Sequence, residues 1–372
     1  MHGSRAEIVA PSAERIAPPC PHFGDCGGCA LQHWRDDAYV AWKSGLLRDA
    51  LLRAGYAEVP IQPIARTPPR SRRRLDFAVR RHRDTIVIGL HEVHADRVVD
   101  LHDCHVLHPA LFALIAPLRE TLRGVAGLRR EGSLIINLLD EGPDVLLRLD
   151  GDVSAADRSR LAAFARAHRV PRVSVARLMQ EPETVCLLRQ SVIRFAGVPV
   201  APPPGAFLQA SAEGEAAIVQ AVLAGVDADG RAVELYAGCG TLTFALAQQV
   251  RLTAYERDPA AVAALRSAAN ASGLAGRVQV EHRDLVRQPV GADALSKVDA
   301  VVLDPPHAGA VRQIAEIAAS GVRRVIYVSC NPATLGRDAG LLRVAGFRVL
   351  SALPVDQFLW SARLESVVVF GR

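Results

Sequence analysis

Glu234-Leu235-Tyr236-Ala237-Gly238-Cys239-Gly240-Thr241 is the stretch on which the fold turns. Residues 232–236 before it read as a strand, and residues 241–249 after it as a helix. Two glycines, Gly238 and Gly240, fall in the turn between them, where missing β-carbons let a ligand approach the backbone. The third glycine of a dinucleotide fingerprint is absent and there is no P-loop lysine, which argues against pyrophosphate or triphosphate binding.

Outward from this turn the alternation continues. Residues 251–256 read as a strand, 259–272 as a helix, and 278–280 and 300–303 as strands, with a helix running to Ala319 and a strand over 325–329. That is an α/β pattern, a parallel sheet with crossover helices. Residues 347–350 and 366–370 supply late strands able to pair antiparallel at one edge. Glu256 closes the second strand, where a carboxylate can accept hydrogen bonds from both ribose hydroxyls, and Asp284 follows the third, where an adenine amino group could be held. Together they describe an adenosine pocket. S-adenosylmethionine fits it better than a nicotinamide dinucleotide or a turn with no ligand, and Cys239 reads as a small packed side chain.

Two further motifs belong to the same sheet edge. Asp304-Pro305-Pro306 ends one apolar run, and Val325-Ile326-Tyr327-Val328-Ser329-Cys330-Asn331-Pro332 places a thiol just beyond the next. A thiol beside a methyl donor points to methylation of a pyrimidine. The C5 of uracil is a poor nucleophile until something adds at C6, so Cys330 would supply the thiolate and a base would remove the C5 proton. Glu365, between Leu364 and the run Val367-Val368-Val369, offers that base, since partial burial raises its proton affinity. Asp304 could accept the uracil N3–H or orient the cofactor ammonium group, and Gln209 could read the base edge or the cofactor. Taken singly, each has a plainer reading: a packed cysteine, a surface carboxylate, an amide capping a loop.

The first half of the chain differs. Residues 1–19 have no clear period, and residues 36–54 carry apolar positions at helical spacing, stopped by Gly55. Strands are expected within 75–80, 85–90, 97–101, 133–138 and 144–149, with a helix over 109–128, an α+β pattern. Pro202-Pro203-Pro204-Gly205 marks the change. Cys20, Cys26 and Cys29 form a CxxxxxCxxC cluster, and Gly27-Gly28 permits a sharp turn. Cys104 is the best fourth ligand, whereas Cys186 sits in an apolar run. Four cysteines suit tetrahedral zinc or a [4Fe-4S] cube, and spacing alone does not choose.

With 372 residues, 50% of them hydrophobic, the chain can build more than one core. Its net charge of +5 is concentrated on arginines between Arg66 and Arg97. Arg70, Arg72, Arg73, Arg74, Arg80, Arg81 and Arg83 could follow successive phosphates of a polyanion, or form a solvated basic edge strand. No basic leader with a long apolar core and no 18-residue apolar run occurs, so a cytoplasmic protein without a membrane partner is expected. Seven cysteines, unevenly spaced, do not resemble a secreted disulfide scaffold. Nothing reads as a coiled-coil seam, and a monomer is expected.

The cysteine spacing followed by Gly-Gly-Cys-Ala-Leu-Gln-His, the Asp-Pro-Pro loop and Val-Ser-Cys-Asn-Pro together resemble the bacterial RNA 5-methyluridine methyltransferases that carry an iron-sulfur cluster. The resemblance runs from Cys20 to the end. It implies a class I S-adenosylmethionine-dependent methyltransferase (Rossmann-like) domain over 199–372, a central α+β RNA-binding domain over 61–198 and an iron-sulfur segment with its helix over 1–60. It implies Cys330 as nucleophile, Glu365 as base, and a [4Fe-4S] cluster on Cys20, Cys26, Cys29 and Cys104. Gln209, Tyr236, Glu256 and Asp304 match cofactor-contacting positions, and Phe207 the base-pocket wall. Only 19 residues precede Cys20, so the small β-barrel of many relatives is not expected. The pattern is similar to the shorter branch acting on 23S ribosomal RNA, with RNA and not DNA as partner. Transfer RNA methylation by the same chemistry and a non-catalytic RNA-binding or ribosome assembly role are the alternatives. Three positions depart from the family: His307 for an Arg after Asp-Pro-Pro, Ser211 for an Asn, and Arg363 for a His.

Overall fold

A computed structural model describes residues 10–372. After the cysteine segment comes α1 (Asp36–Arg53), then the short β1 (Ala65–Arg66). The middle of the chain forms β2 (Arg74–His82), β3 (Thr85–His91), β4 (Val98–Asp100), α2 (Pro109–Phe112), α3 (Ile115–Arg123), β5 (Glu131–Leu139), β6 (Gly142–Leu149), α4 (Ala155–Ala167), β7 (Arg172–Arg177) and β8 (Glu183–Leu187). A small hairpin, β9 (Ile193–Phe195) and β10 (Val198–Val200), leads to α5 (Ala212–Gly225). The rest is β11 (Arg231–Leu235), α6 (Thr243–Leu246), β12 (Arg251–Glu256), α7 (Pro259–Ala271), β13 (Val278–His282), α8 (Ala292–Leu295), β14 (Ala300–Leu303), α9 (Val311–Ala319), β15 (Arg324–Ser329), α10 (Pro332–Val344), β16 (Arg348–Asp356) and β17 (Glu365–Gly371).

The eight-stranded sheet has the order β1-β16-β17-β15-β14-β11-β12-β13. Strands β13, β12, β11, β14 and β15 are mutually parallel, while β17 runs antiparallel to both β15 and β16. Every residue of β14 and of β17 is buried, as both faces of such a sheet are covered. Val302, Ile326 and Val328 pack into one core, Val301, Val325 and Tyr327 into the other. The two late strands do pair with each other, but β17 is interior and β1 takes the edge, so they do not close the sheet. Helix α1 packs on α10 and β16.

The second sheet, β4-β3-β2-β5-β6-β7-β8, is antiparallel except for β6 and β7, which α4 connects. Leu75, Phe77 and Val79 of β2 point into its core, so the arginines alternating with them face the other way. The helix expected over 109–128 is two helices. Pro117, lacking an N–H, falls in the first turn of α3, where none is needed, and so suits a fresh helix start. The helix expected over 241–249 is a single turn, α6, whose tail winds through Gln248 N–H to the Ala245 carbonyl. Among the described residues no helix is long and apolar enough to cross a membrane.

Candidate active site

The parallel strands deliver their carboxyl ends to one edge, and the cofactor loop follows β11 there. Tyr236, Gly238 and Gly240 all have positive φ, at 66°, 56° and 102°. The two glycines serve different ends. A β-carbon on Gly240 would lie 2.5 Å from Leu265 Cδ1, so this position is closed by packing, whereas a β-carbon on Gly238 meets nothing within 4 Å. Gly238 is therefore where a ligand can come against the backbone. Glu256, at the end of β12, accepts from Gly238 N at 2.9 Å and from Arg257 N and Asp258 N at 2.7 Å each. The loop and the carboxylate are thus fixed as one unit, half-buried. Asp284 lies just beyond β13, its Oδ1 accepting from Val286 N at 3.0 Å. Cys239 is buried among core residues. These residues fit an adenosine-containing ligand.

Beneath the loop, Glu234 is fully buried in β11, and burial pushes its carboxyl up to about 8, helped by nearby Asp304 and Glu256. A carboxyl so raised holds its proton in the folded state when the unfolded chain has lost it, so its contribution to stability falls as pH rises from about 4.5 towards 8. Glu234→Gln should remove that slope, and denaturant midpoints measured between pH 5 and 8 check it.

The catalytic candidates lie further along the edge. Ser329 of β15 pairs with Ser366 of β17. Cys330 follows directly on Ser329 and Glu365 directly precedes Ser366, so this antiparallel register brings the two to the same end of the paired strands, with the Glu365 and Asp304 carboxylates near enough to act on the thiol. Glu365 is 3% exposed and Gln209 and Gln357 are each 4% exposed, so the polar groups here depend on one another. Gln357 Nε2 donates to Glu365 Oε2 at 2.8 Å and to Gln209 Oε1 at 2.8 Å, and Gln209 Nε2 donates to Asp304 Oδ2 at 3.0 Å. Gln357 Oε1 in turn accepts from Ala210 N at 2.9 Å. Glu365 Oε1 is buried with no hydrogen-bond partner, and so is open to a proton.

Burial, and then the charge of Asp304, hold the Glu365 carboxyl well above the usual carboxylate range. Burial pushes Asp304 up to about 6, against the Gln209 hydrogen bond. Burial also pushes the Cys330 thiol up to about 11, with Glu365 and Asp304 adding to it and Arg363 opposing them. Arg363, one of the departures, thus favours the thiolate. Another, His307, offers its carbonyl to Asn331 Nδ2 at 3.0 Å, tying the Asp-Pro-Pro loop to the residue after Cys330. Ser211, the third, caps α5 by accepting from Gly214 N at 3.0 Å.

The cysteine segment sits at the far side of a cleft. Gly27 is required by close approach, since a β-carbon there would lie 2.8 Å from the His91 carbonyl oxygen, whereas one on Gly28 would meet the end of the Leu90 side chain. All four cluster cysteines are free thiols, Cys104 buried and the others half-buried. Burial pushes Cys29 up to about 12, with Cys104, Cys26 and Cys20 near enough to raise it further. Gly28 N–H is directed at Cys26 Sγ and Leu107 N–H at Cys104 Sγ, both at 3.4 Å. Among the described residues no three His, Cys, Asp or Glu side chains converge closely enough, as they stand, to hold a metal ion.

The arginine stripe is divided. Its strand is interior to the sheet and not an edge. Arg73 is buried, paired with Glu215 and donating to the Gln209 carbonyl, so it positions the active site. Arg81 donates to the carbonyls of Leu122, Arg123, Val125 and Leu128, closing the end of α3. Arg74 lies 5.5 Å from the ring of Phe207, itself 67% exposed, and Arg72 lies 5.9 Å from Phe358. A cleft of about 880 Å³ runs between the cysteine segment and the segment 357–363, lined among others by Cys29, Arg72, Arg74, Gln357, Phe358 and Arg363. Arg81→Ala should therefore destabilise the fold by roughly 2 kcal/mol through orphaned carbonyls. Arg74→Ala should instead lower the salt slope of RNA binding by about one. Denaturation and a salt titration of RNA affinity separate the two.

Gln357 directly follows Asp356 at the end of an apolar strand, and only the structure shows the pair to be buried.

Residues 203–372 match the family model of tRNA (uracil-5-)-methyltransferases. An uncharacterized RNA methyltransferase of Brucella melitensis is 38% identical over 377 residues, covering 99% of this chain and 88% of the relative. The 23S rRNA (uracil(1939)-C(5))-methyltransferase RlmD of Edwardsiella ictaluri is 34% identical over 378 residues, covering 99% of this chain and 84% of that one. The crystal structure of the Pyrococcus abyssi tRNA (uracil-54, C5)-methyltransferase in complex with S-adenosyl-L-homocysteine superposes with a TM-score of 0.72 at 20% identity, over 98% of this chain and 88% of that one, a likeness of fold. With catalytic-domain and full-length matches pointing the same way, this chain belongs to the RNA (uracil-5-)-methyltransferase family and is an S-adenosylmethionine-dependent enzyme.

Proposed function

We propose that the chain forms 5-methyluridine in 23S ribosomal RNA, with Cys330 and Glu365 acting on the two carbons of one pyrimidine double bond. The observation that carries this reading is the strand register that brings Cys330 and Glu365 to the same end of β15 and β17, with two glutamines linking Glu365 to Asp304. The likeness to RlmD favours 23S ribosomal RNA over transfer RNA.

Gly238, Tyr236, Glu256 and Asp284 would hold S-adenosylmethionine, with Gly240 allowing the loop its turn, and the cofactor would supply a methyl group from its sulfonium centre. Cys330 Sγ adds to C6 of a uridine turned out of its stack, and the electron pair of the double bond moves to C5. Asp304 and Gln209 orient the base or the cofactor at that point. C5 takes the methyl group as the donor's S–CH3 bond breaks and leaves a neutral thioether; Glu365 Oε1 then accepts the proton that C5 loses, and the C5–H electron pair re-forms the double bond as the C6–S bond breaks to restore the Cys330 thiolate. Glu365 suits this proton because burial makes it a stronger base than an exposed carboxylate. The exposed ring of Phe207 beside Arg74 offers a stacking surface for the target or its neighbour. The cleft lined by Arg72, Arg74 and Arg363 takes the flanking strand.

The cysteine segment is read as the site of a [4Fe-4S] cluster on Cys20, Cys26, Cys29 and Cys104. Four thiols in mutual electrostatic reach, two already receiving backbone N–H groups, support this, and small inward turns of the side chains are required for ligation. Cys104→Ser should lower bound iron and sulfide in purified protein, which analysis of both elements reads.

Mass mapping of ribosomal and transfer RNA from a deletion strain tests the substrate. A single 5-methyluridine missing from 23S ribosomal RNA is expected. Its loss from transfer RNA alone would transfer the activity there, and loss from neither would favour a binding role.

A further inference from the structure

Helix α1 meets β16 through Tyr39 and Lys43, one helical turn apart on the same face. Lys43 is fully buried. Its Nζ donates to Asp356 Oδ1 at 2.8 Å, to the Phe358 carbonyl at 3.2 Å and to the Arg363 carbonyl, so its three protons each have an acceptor. The Tyr39 hydroxyl donates to Asp356 Oδ2 at 2.7 Å and accepts from Trp360 N at 2.9 Å. Asp356, also fully buried, keeps its own carbonyl on Thr67 Oγ1 at 2.9 Å.

Burying an ion pair adds little net stability, because desolvation offsets the attraction. What this pair does is geometric. Its acceptors stand near both ends of the segment 357–364, which begins with Gln357 and leads into Glu365. The crest of that segment is held as well, the Trp360 carbonyl accepting from Ala30 N at 2.8 Å and Leu31 N at 2.9 Å. The last anchored carbonyl, that of Arg363, is two residues from Glu365.

We propose that Tyr39, Lys43 and Asp356 are positioning residues for the catalytic base: their clamp holds the segment 357–364 so that Glu365 stands at C5 of the base bound to Cys330. None of the three lies at the cofactor loop. The proposal rests on the reading of Glu365 as base.

The test uses the full chain with uridine RNA and a labelled methyl donor. In Lys43→Met combined with Asp356→Asn the pair is neutralised together, so no lone buried charge remains. Turnover should fall by roughly 10- to 100-fold from misplacement of the base, with methyl-donor binding unchanged. A methylated covalent complex of enzyme and RNA should build up on denaturing gels, because thiol addition and methylation proceed while C5 deprotonation lags. Tyr39→Phe, which keeps the ion pair, should do the same to a smaller degree and decides the matter if the double variant does not fold. Glu365→Gln, with the clamp intact, is the control. If it accumulates the complex while clamp variants turn over normally, or merely melt earlier at unchanged specific activity, the clamp proposal is overturned alone. If Glu365→Gln itself turns over without accumulation, the base reading fails and the clamp with it.

Discussion

Cys330→Ala is expected to abolish methyl transfer, by about 10⁴-fold or more, since a nucleophile whose removal leaves only binding and orientation costs on that order. The fold should persist, because Cys330 is half-buried just beyond β15 and its loss opens no core cavity. Methyl-donor affinity should also persist, since Gly238 lies in the loop after β11 and Glu256 at the end of β12, both away from β15. The measurement is incorporation of labelled methyl into RNA at saturating cofactor, beside a thermal melt. Retained methylation in a folded variant would mean that C5 is activated in some other way.

Glu365→Gln should have the second-largest effect, a loss of about 10²- to 10⁴-fold in turnover. The amide preserves shape and can still pair with Gln357, so the network stands while the proton acceptor is gone. The loss should therefore fall on turnover more than on RNA affinity. Because the Glu365 carboxyl is raised, the native enzyme should gain activity as pH rises through the neutral range, as the base loses its proton and the Cys330 thiolate fraction grows. Both ionisations act in the same direction, so a falling profile over pH 6 to 9 would contradict this assignment of base and nucleophile.

The parallel sheet was legible because β11, β14 and β15 are short runs dominated by apolar residues, a signal that needs no partner to be read, while β12 alternates and was placed by the helices on either side of it. The position of β17 was not, since strand order between β15 and β16 is set by long-range pairing that local pattern does not encode. Helix α10 begins on the last residues of the Val-Ser-Cys-Asn-Pro motif, with Asn331 accepting from Ala333 N and Pro332 in the first turn. Helix α4 has a weak apolar stripe, Leu161 and Phe164 among arginines and alanines, but its Ser154 and Asp157 capping box was a usable start signal.

At the site, Cys330, Glu365, Asp304 and Gln209 were each visible as residues in motifs; the fold links the last three through Gln357 and sets Cys330 near the two carboxylates. Gln357, Tyr39 and Lys43 were not visible in this role. Lys43 reads as an ordinary helix-surface lysine, and only the packing of α1 against β16 shows it to be buried on Asp356. The arginine stripe misled for the same reason: charge density is a sequence property, whereas the use of Arg73 and Arg81 as internal donors depends on what lies across the sheet.

The most direct test of the account is a mass-mapped covalent complex with RNA carrying 5-fluorouridine at the target, where C5 has no proton to lose. With methyl donor present, the native enzyme should become trapped through Cys330 Sγ on C6 of the methylated base, and Cys330→Ala should form no such bond. Attachment at another residue, or equal trapping by a folded Cys330→Ala variant, would contradict it.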